Sequence, residues 1–514
     1  MATTARTTSD EAADDGLRTG ALSMATSLIL SVASAAPAYS LAATLAFIVA
    51  YVGFQAPVIV LLAFVPILFV SFGYAALNRR DPDCGTIFTW AGRVLGPRAG
   101  FLAGWAVITS FVLVMASLAQ VAGQYVFILC GADGIGSDPS SPWVLLVGLG
   151  WMALMTAVCY RGIEVAAAVQ RALLLLEFVM LVVFSVVALV RVCAGHAAPG
   201  ARRPSLSWLN PFEIPSPGAF VSGLVLMLFI YWGWETAVTV NEETADRRRT
   251  PGRAAVWSTI VLLALYLVAT VATLAFAGTG TSGIGLGNPD NFGDVFSAIG
   301  RAVFGTGAVG TVLWHLLVLM VLSSAAASTE TTVLTLGRTL LAMGRQGAVP
   351  RAFAKIHPRY AGPHVGTVAV GLAGALCYVV MNLLADGLVI GDAVSSCGVM
   401  IALYYGLTGL TSAWAHRAGR GRGDLWPRVV LPAVGGVVLL AAGAWSLVND
   451  WDPANSSTSW TPPFAPHWHI GGVFLIAAGA LATGWLLMSA GARLAPRYFA
   501  RTPHGEGGGN RGED

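Results

Sequence analysis

Ser31-Val32-Ala33-Ser34-Ala35-Ala36-Pro37 interrupts one long apolar stretch, and Tyr231-Trp232-Gly233-Trp234-Glu235 interrupts another. Each places helix-breaking residues near the middle of a segment that otherwise reads as a regular membrane helix. Proline lacks a backbone donor and clashes with the preceding turn, and glycine weakens a helix interior. Either break alone reads as a kinked but continuous helix. Together they carry more, because paired interruptions at corresponding positions point to the binding site of transporters built from two inverted repeats.

The surrounding chain is of the class that needs such rods. Its 514 residues are 56% hydrophobic and 11% charged, with a mean hydropathy of +0.71. A soluble domain carries about 25% charged residues. So few charges cannot cover a water-facing surface, which excludes soluble enzymes, disordered chains and disulfide scaffolds. The six cysteines lie without metal-ligand spacing and read as small apolar residues.

Crossing about 30 Å of hydrocarbon takes about 20 apolar residues. Residues 19–78 hold no charge and fit two helices divided at Gly53-Phe54-Gln55-Ala56-Pro57. Further spans are expected at 100–130, 142–160, 166–190, 217–243, 254–277, 308–343, 365–384, 392–415, 429–449 and 468–490. That predicts an all-α polytopic membrane protein of twelve transmembrane helices. The basic residues set its orientation: 24 of 29 fall on one side if both ends are cytoplasmic, against Arg191, Arg202, Arg203 and Arg301 on the other.

Residues 1–18 read as a disordered cytoplasmic tail and 491–514 as a second tail, Gly-rich toward its end. No cleavable signal peptide precedes the first span. The Gly- and Asn-rich outer loop 278–305 is a lid or a passive connection. Glu242-Glu243 with Arg247–Arg249 reads most simply as a solvated helix end, with a cytoplasmic gate salt bridge as the sharper reading.

A half-helix starting mid-membrane offers free N–H groups and a positive dipole end to an anion; one ending there offers carbonyls to a cation. Two such breaks face to face suit an α-amino acid, which carries both charges. Three carboxylates, Glu177, Glu235 and Glu330, lie inside spans, where an ionised side chain costs on the order of 2.5–3.5 kcal/mol. None has a basic residue three or four positions away. They are protonated, pair across helices, or face water or a cation. Glu330 lies in the small and hydroxyl run 323–332. That run reads as close helix packing, or as Ser328 or Thr329 facing the first break to bind a coupling ion. Trp232 and Trp234 are packing residues or walls of a pocket that stack on an amine. His315 is read as a satisfied interior residue, and Asp392, at a span edge, as unremarkable.

Three motifs resemble the amino acid–polyamine–organocation transporters along nearly the whole chain. Tyr231-Trp232-Gly233-Trp234-Glu235, then Glu242-Glu243 and Arg249-Thr250-Pro251, is similar to that family's sixth-helix pattern. Gly85-Thr86-Ile87-Phe88-Thr89-Trp90 through Gly104-Trp105 resembles its segment after helix two. Arg338 with Ala342-Met343-Gly344-Arg345-Gln346-Gly347-Ala348-Val349-Pro350 resembles its signature after helix eight.

The resemblance implies a five-plus-five inverted repeat (19–193 and 217–415) with discontinuous helices one and six and two extra helices (429–490). It implies alternating-access uptake of an amino acid or related amine. Substrate contacts are then expected from Ser31, Ala33, Ser34, Ala35, Ala36, Tyr39, Tyr231, Trp232, Gly233, Trp234 and Glu235, the last read first as holding the break open by accepting backbone N–H bonds and second as touching substrate. Coupling residues are expected at Glu177, Glu330, Ser328 and Thr329. One departure is plain: family members have a glycine-rich first break, and here it is rich in serine and alanine. In proton-coupled relatives a helix-five lysine stands in for a sodium ion beside that break, and Glu177 falls at or near its place. A carboxylate there binds Na⁺ or shuttles a proton, or is simply hydrogen-bonded to a neighbouring helix.

The expected activity is therefore proton-coupled uptake, with Na⁺ symport, exchange and a non-transporting sensor as alternatives. The expected partners are a small molecule and the bilayer, with no metal, organic cofactor, nucleic acid or obligate protein partner. A membrane-embedded enzyme is disfavoured, since no HxxxD or HExxH arrangement is present.

Overall fold

The computed structural model describes residues 16–384, 388–418 and 422–502. α1 (Met24–Ser34) and α2 (Pro37–Val52) form one broken rod, and a 3-10 turn at Gly53–Gln55 leads into α3 (Ala56–Arg80). Next come α4 (Ile87–Val94), α5 (Pro97–Leu129), the short α6 (Asp133–Gly136), α7 (Pro142–Tyr160) and α8 (Ile163–Cys193). A second broken rod joins α9 (Pro217–Ile230) to the one-turn α10 (Thr236–Thr239). Then follow α11 (Thr250–Ala277), α12 (Val295–Phe304), α13 (Ala308–Gln346), α14 (His364–Leu383) and α15 (Val389–Ala415). The chain closes with α16 (Arg422–Leu425), α17 (Leu431–Asn449), α18 (Gly472–Leu494) and α19 (Pro496–Phe499).

Among the described residues, ten stretches are long and apolar enough to cross a membrane, and the first of them, Met24–Arg80, includes α1 to α3. α9, at 14 residues, is shorter than a full crossing. Local chemistry sets the ends. Ser216 caps α9 by accepting from Ala219 N at 3.1 Å, and Pro217 occupies its first position, where no donor is needed. Gly347, at φ +76°, ends α13 in a left-handed turn.

The two broken rods sit at the centre of the bundle. α1 packs on α8, α11 and α13, and α2 packs on α9; α5 backs α13 and α15. Outside this core, α17 leans on α15 and α3.

Four sequence expectations change. Residues 1–15 lie outside the described residues, but the tail expected through Arg18 is already packed at its end: Leu17 is buried and Arg18 pairs with Glu164. The outer loop 278–305 contains α12, which buries Val295, Phe296 and Ile299 and is capped by Asp294. His315 is half-buried and bonds its own helix at Thr311 O, 2.8 Å away. Asp392 has a definite task. Its carboxylate accepts from Ser457 N at 2.7 Å and Thr458 N at 2.9 Å, tying down the loop that carries the two-stranded hairpin of β1 (Ser459–Trp460) and β2 (Ile470–Gly471).

Candidate functional site between two broken helices

At the first break Ala36 takes a left-handed φ of +46°, a conformation that an L-residue with a Cβ adopts only under strain, and Pro37 starts α2. The serine- and alanine-rich sequence therefore still turns as a glycine would, at Ala36. At the second break the helical ladder stops at Tyr231, and Gly233 adopts φ +107°. A Cβ on Gly233 would lie 2.7 Å from Ser34 O and 2.9 Å from Ala35 N. The two breaks touch, and only glycine permits it.

Hydroxyls stitch the contact. Ser34 Oγ and Thr236 Oγ1 are 2.8 Å apart, Ala237 N donates to Ser31 Oγ at 3.2 Å, and Ser328 Oγ donates to Ser34 O at 3.2 Å. Tyr266 OH donates to Ile230 O at 2.5 Å, satisfying a carbonyl that the break frees.

The opposite face of the first break meets a carboxylate. Glu177 Oε1, from α8, accepts from Ala38 N at 2.7 Å and from Ser324 Oγ at 2.7 Å. Ser324 Oγ in turn accepts from Tyr39 N at 3.1 Å. The first free N–H groups of α2, its positive dipole end, thus face a buried acid. Glu177 Oε2 has no hydrogen-bond partner among the described residues.

Glu235 is held differently. It accepts from Tyr404 OH at 2.6 Å, from Tyr405 OH at 2.5 Å and from Gly233 N at 3.1 Å. It braces the second break through a backbone donor and two α15 tyrosines. Trp232 Nε1 donates to Tyr404 OH, and its ring lies 4.4 Å from Phe111.

The remaining expected residues divide. Tyr39 OH meets Ser117 Oγ at 2.7 Å, while Ala33 and Ala35 are buried in the break. Tyr231 points away, its hydroxyl donating to Val60 O at 3.1 Å. Trp234 is enclosed by Tyr74 and Tyr405, with ring centroids 5.0 and 5.2 Å away. Thr329 bonds its own helix at Ala325 O, 2.8 Å away. Glu330 is fully buried with neither oxygen partnered among the described residues. Its backbone carbonyl accepts from Cys159 Sγ, and Ala327 O accepts from Gln170 Nε2, so this face of α13 abuts α7 and α8. Ser324, Tyr404, Tyr405 and Ser117 were not expected. The one available signal was the helical spacing of Ser324, Ser328 and Thr335, which puts three hydroxyls on one stripe of α13.

Below the second break Glu242 and Glu243 are buried in a charge network and do not form a solvated helix end. Arg338 donates from Nε and Nη2 to both oxygens of Glu243, at 2.6 and 2.9 Å, and the pair is at most 2% exposed. Arg345 reaches Glu242 at 2.9 Å, and Glu242 also accepts from Cys84 N. The partners come from α13, not from the Arg247–Arg249 run. Beside them, burial pushes the Asp83 carboxyl up, against the pull of Arg93.

Comparison with known proteins gives a family and a fold. The sequence pattern of the family described as amino acid permease matches residues 20–475. An uncharacterized transporter of Mycobacterium tuberculosis is 28% identical over 376 residues, 71% of this chain and 73% of that protein. The low-affinity putrescine importer PlaP of Escherichia coli is 23% identical over 356 residues, 68% of this chain and 72% of its own. The crystal structure of MhsT in complex with L-phenylalanine matches with a TM-score of 0.58 at 15% identity, covering 81% of this chain and 98% of that one. That last likeness is one of fold.

Proposed function

For a chain that belongs to the amino acid permease family, we propose secondary active uptake of an amino acid or related amine, coupled to H⁺ through Glu177. It is a multi-pass membrane transporter, not an enzyme. Counting Met24–Arg80 as two spans, and α9 with α10 as one broken span, gives twelve. The reading arranges the first ten as two inverted repeats of five, 19–193 and 217–415, with both chain ends cytoplasmic.

One observation carries the coupling: a buried carboxylate from α8 bridges the start of α2 and Ser324 of α13, with one oxygen left over. An ionised carboxylate at a helix N-terminus is worth about 0.3–1 kcal/mol, and up to about 2 when partly buried. Adding a proton at Oε2 removes that attraction while Oε1 keeps its two donors. The contact between α2 and the α8–α13 pair therefore weakens on protonation and tightens on release. The reading puts substrate beside the contact of the two breaks, against Ser34 and Trp232, and not within it, because Gly233 rests directly on Ser34 O.

The test is uptake of radiolabelled amino acids and diamines into proteoliposomes under an imposed pH gradient. Glu177→Gln is expected to abolish accumulation above equilibrium while keeping substrate binding. Unchanged accumulation removes Glu177 from the mechanism, and accumulation that disappears when choline replaces Na⁺ reassigns the coupling ion.

A further inference from the structure

Away from the breaks, the arginine-rich end of the bundle holds a groove of about 390 Å³ between the last turns of α3, the first turns of α11 and the entry to α17. Arg79, Arg248, Arg249, Arg253 and Arg428 line it. Against these five cations stands one carboxylate, Asp424, and Arg428 already engages it at 3.0 Å. The other four arginines make no ion pair among the described residues. Four like charges in one groove repel one another unless an anion joins them.

Two further observations point to an anion. The 28-residue α11 begins at Thr250, beside these arginines, with no acidic residue in its first turn and no side-chain cap. Its positive end adds to the same field, partly offset by Asp246, whose Oδ1 accepts from Arg249 N at 3.2 Å. The rest of the wall is apolar: Phe72 and Val256 are half-buried, and Trp257 is 55% exposed, about 10 Å along α11 from its start. Ile260 continues the exposed apolar line one turn deeper. A basic mouth above a lipid-facing apolar wall with an interfacial tryptophan matches a phospholipid, headgroup outward and chain along the helix.

We propose that this groove is a binding site for the phosphodiester headgroup of an anionic phospholipid. The segment it grips also leads to the charge network, because Asn78 donates to the carbonyls of Arg247 and Arg248 and accepts from Asn241.

The full chain, in detergent, is titrated with phosphatidylglycerol or phosphatidylcholine while bound lipid is counted by native mass spectrometry. Phosphatidylglycerol is expected to bind preferentially. The triple variant Arg248→Gln/Arg249→Gln/Arg253→Gln is expected to bind it at least about tenfold more weakly. Arg248→Lys/Arg249→Lys/Arg253→Lys keeps the charge and is expected to retain binding, which separates the site from misfolding. Arg493→Gln/Arg497→Gln, outside the groove, is the matched control. The proposal is overturned if the control loses as much lipid as the triple variant, if both phospholipids bind alike, or if inorganic phosphate alone displaces phosphatidylglycerol.

Discussion

Gly233 shows most directly how one residue holds the site together. Its φ of +107° and its approach to Ser34 O leave no room for a Cβ. Gly233→Ala is expected to destabilise the fold by about 1–3 kcal/mol and to reduce uptake to background. A variant that melts and transports like the parent would show that the two breaks do not need this contact. The acids around it fill distinct roles although none of the three has a basic neighbour on its own helix. Glu235 is fully enclosed by donors, Glu177 keeps one open oxygen, and Glu330 has no partner among the described residues. Sequence could show that each lacked a basic neighbour on its own helix. Which donors approach from other helices is a matter of bundle geometry.

Among the helices, the same distinction governs the pair Arg338–Glu243. Glu242-Glu243 followed by arginines in sequence looks like a wet helix end, yet both acids are buried and their partners, the buried Arg338 and the more exposed Arg345, arrive from α13, about a hundred positions later. Removing one member of a buried pair strands the other, which costs about 3–5 kcal/mol, whereas replacing both with apolar residues is often neutral. Arg338→Ala is therefore expected to lower the melting temperature in detergent far more than the double variant Arg338→Met/Glu243→Met. Equal losses would mean that the pair contributes by packing alone. The rods themselves were legible. Pro142–Tyr160 matches its expected span, and the division at Gly53 is a 3-10 turn, because apolar length and turn residues act locally.

Across the whole bundle, packing in lipid depends on small residues that let backbones approach. α15 and α17 meet along such a seam: a Cβ on Gly409 would lie 2.2 Å from Pro432 O, and one on Gly406 would lie 2.4 Å from the Leu440 side chain. Gly150, by contrast, faces open space on α7. Gly409→Leu is expected to lose folded protein on extraction from the membrane, while Gly150→Leu is expected to be tolerated. Similar behaviour of the two would place the stability of the bundle elsewhere. The same seam explains why periodicity could not order the helices. Rods that are apolar all round carry little record of which face meets which neighbour.

Composition was enough, without coordinates, to determine a polytopic membrane protein, and two interrupted rods with three motifs resembling the permeases pointed to a transporter of this class. Those properties follow from the bilayer acting as solvent on each segment independently. Contacts between segments decided the rest: that Gly233 rests on Ser34, that Glu177 rather than Glu330 meets the start of α2, and that Tyr404 and Tyr405 hold Glu235. Such contacts join residues up to about two hundred positions apart through hydrogen bonds a few ångströms long, whose partners only the packed bundle selects.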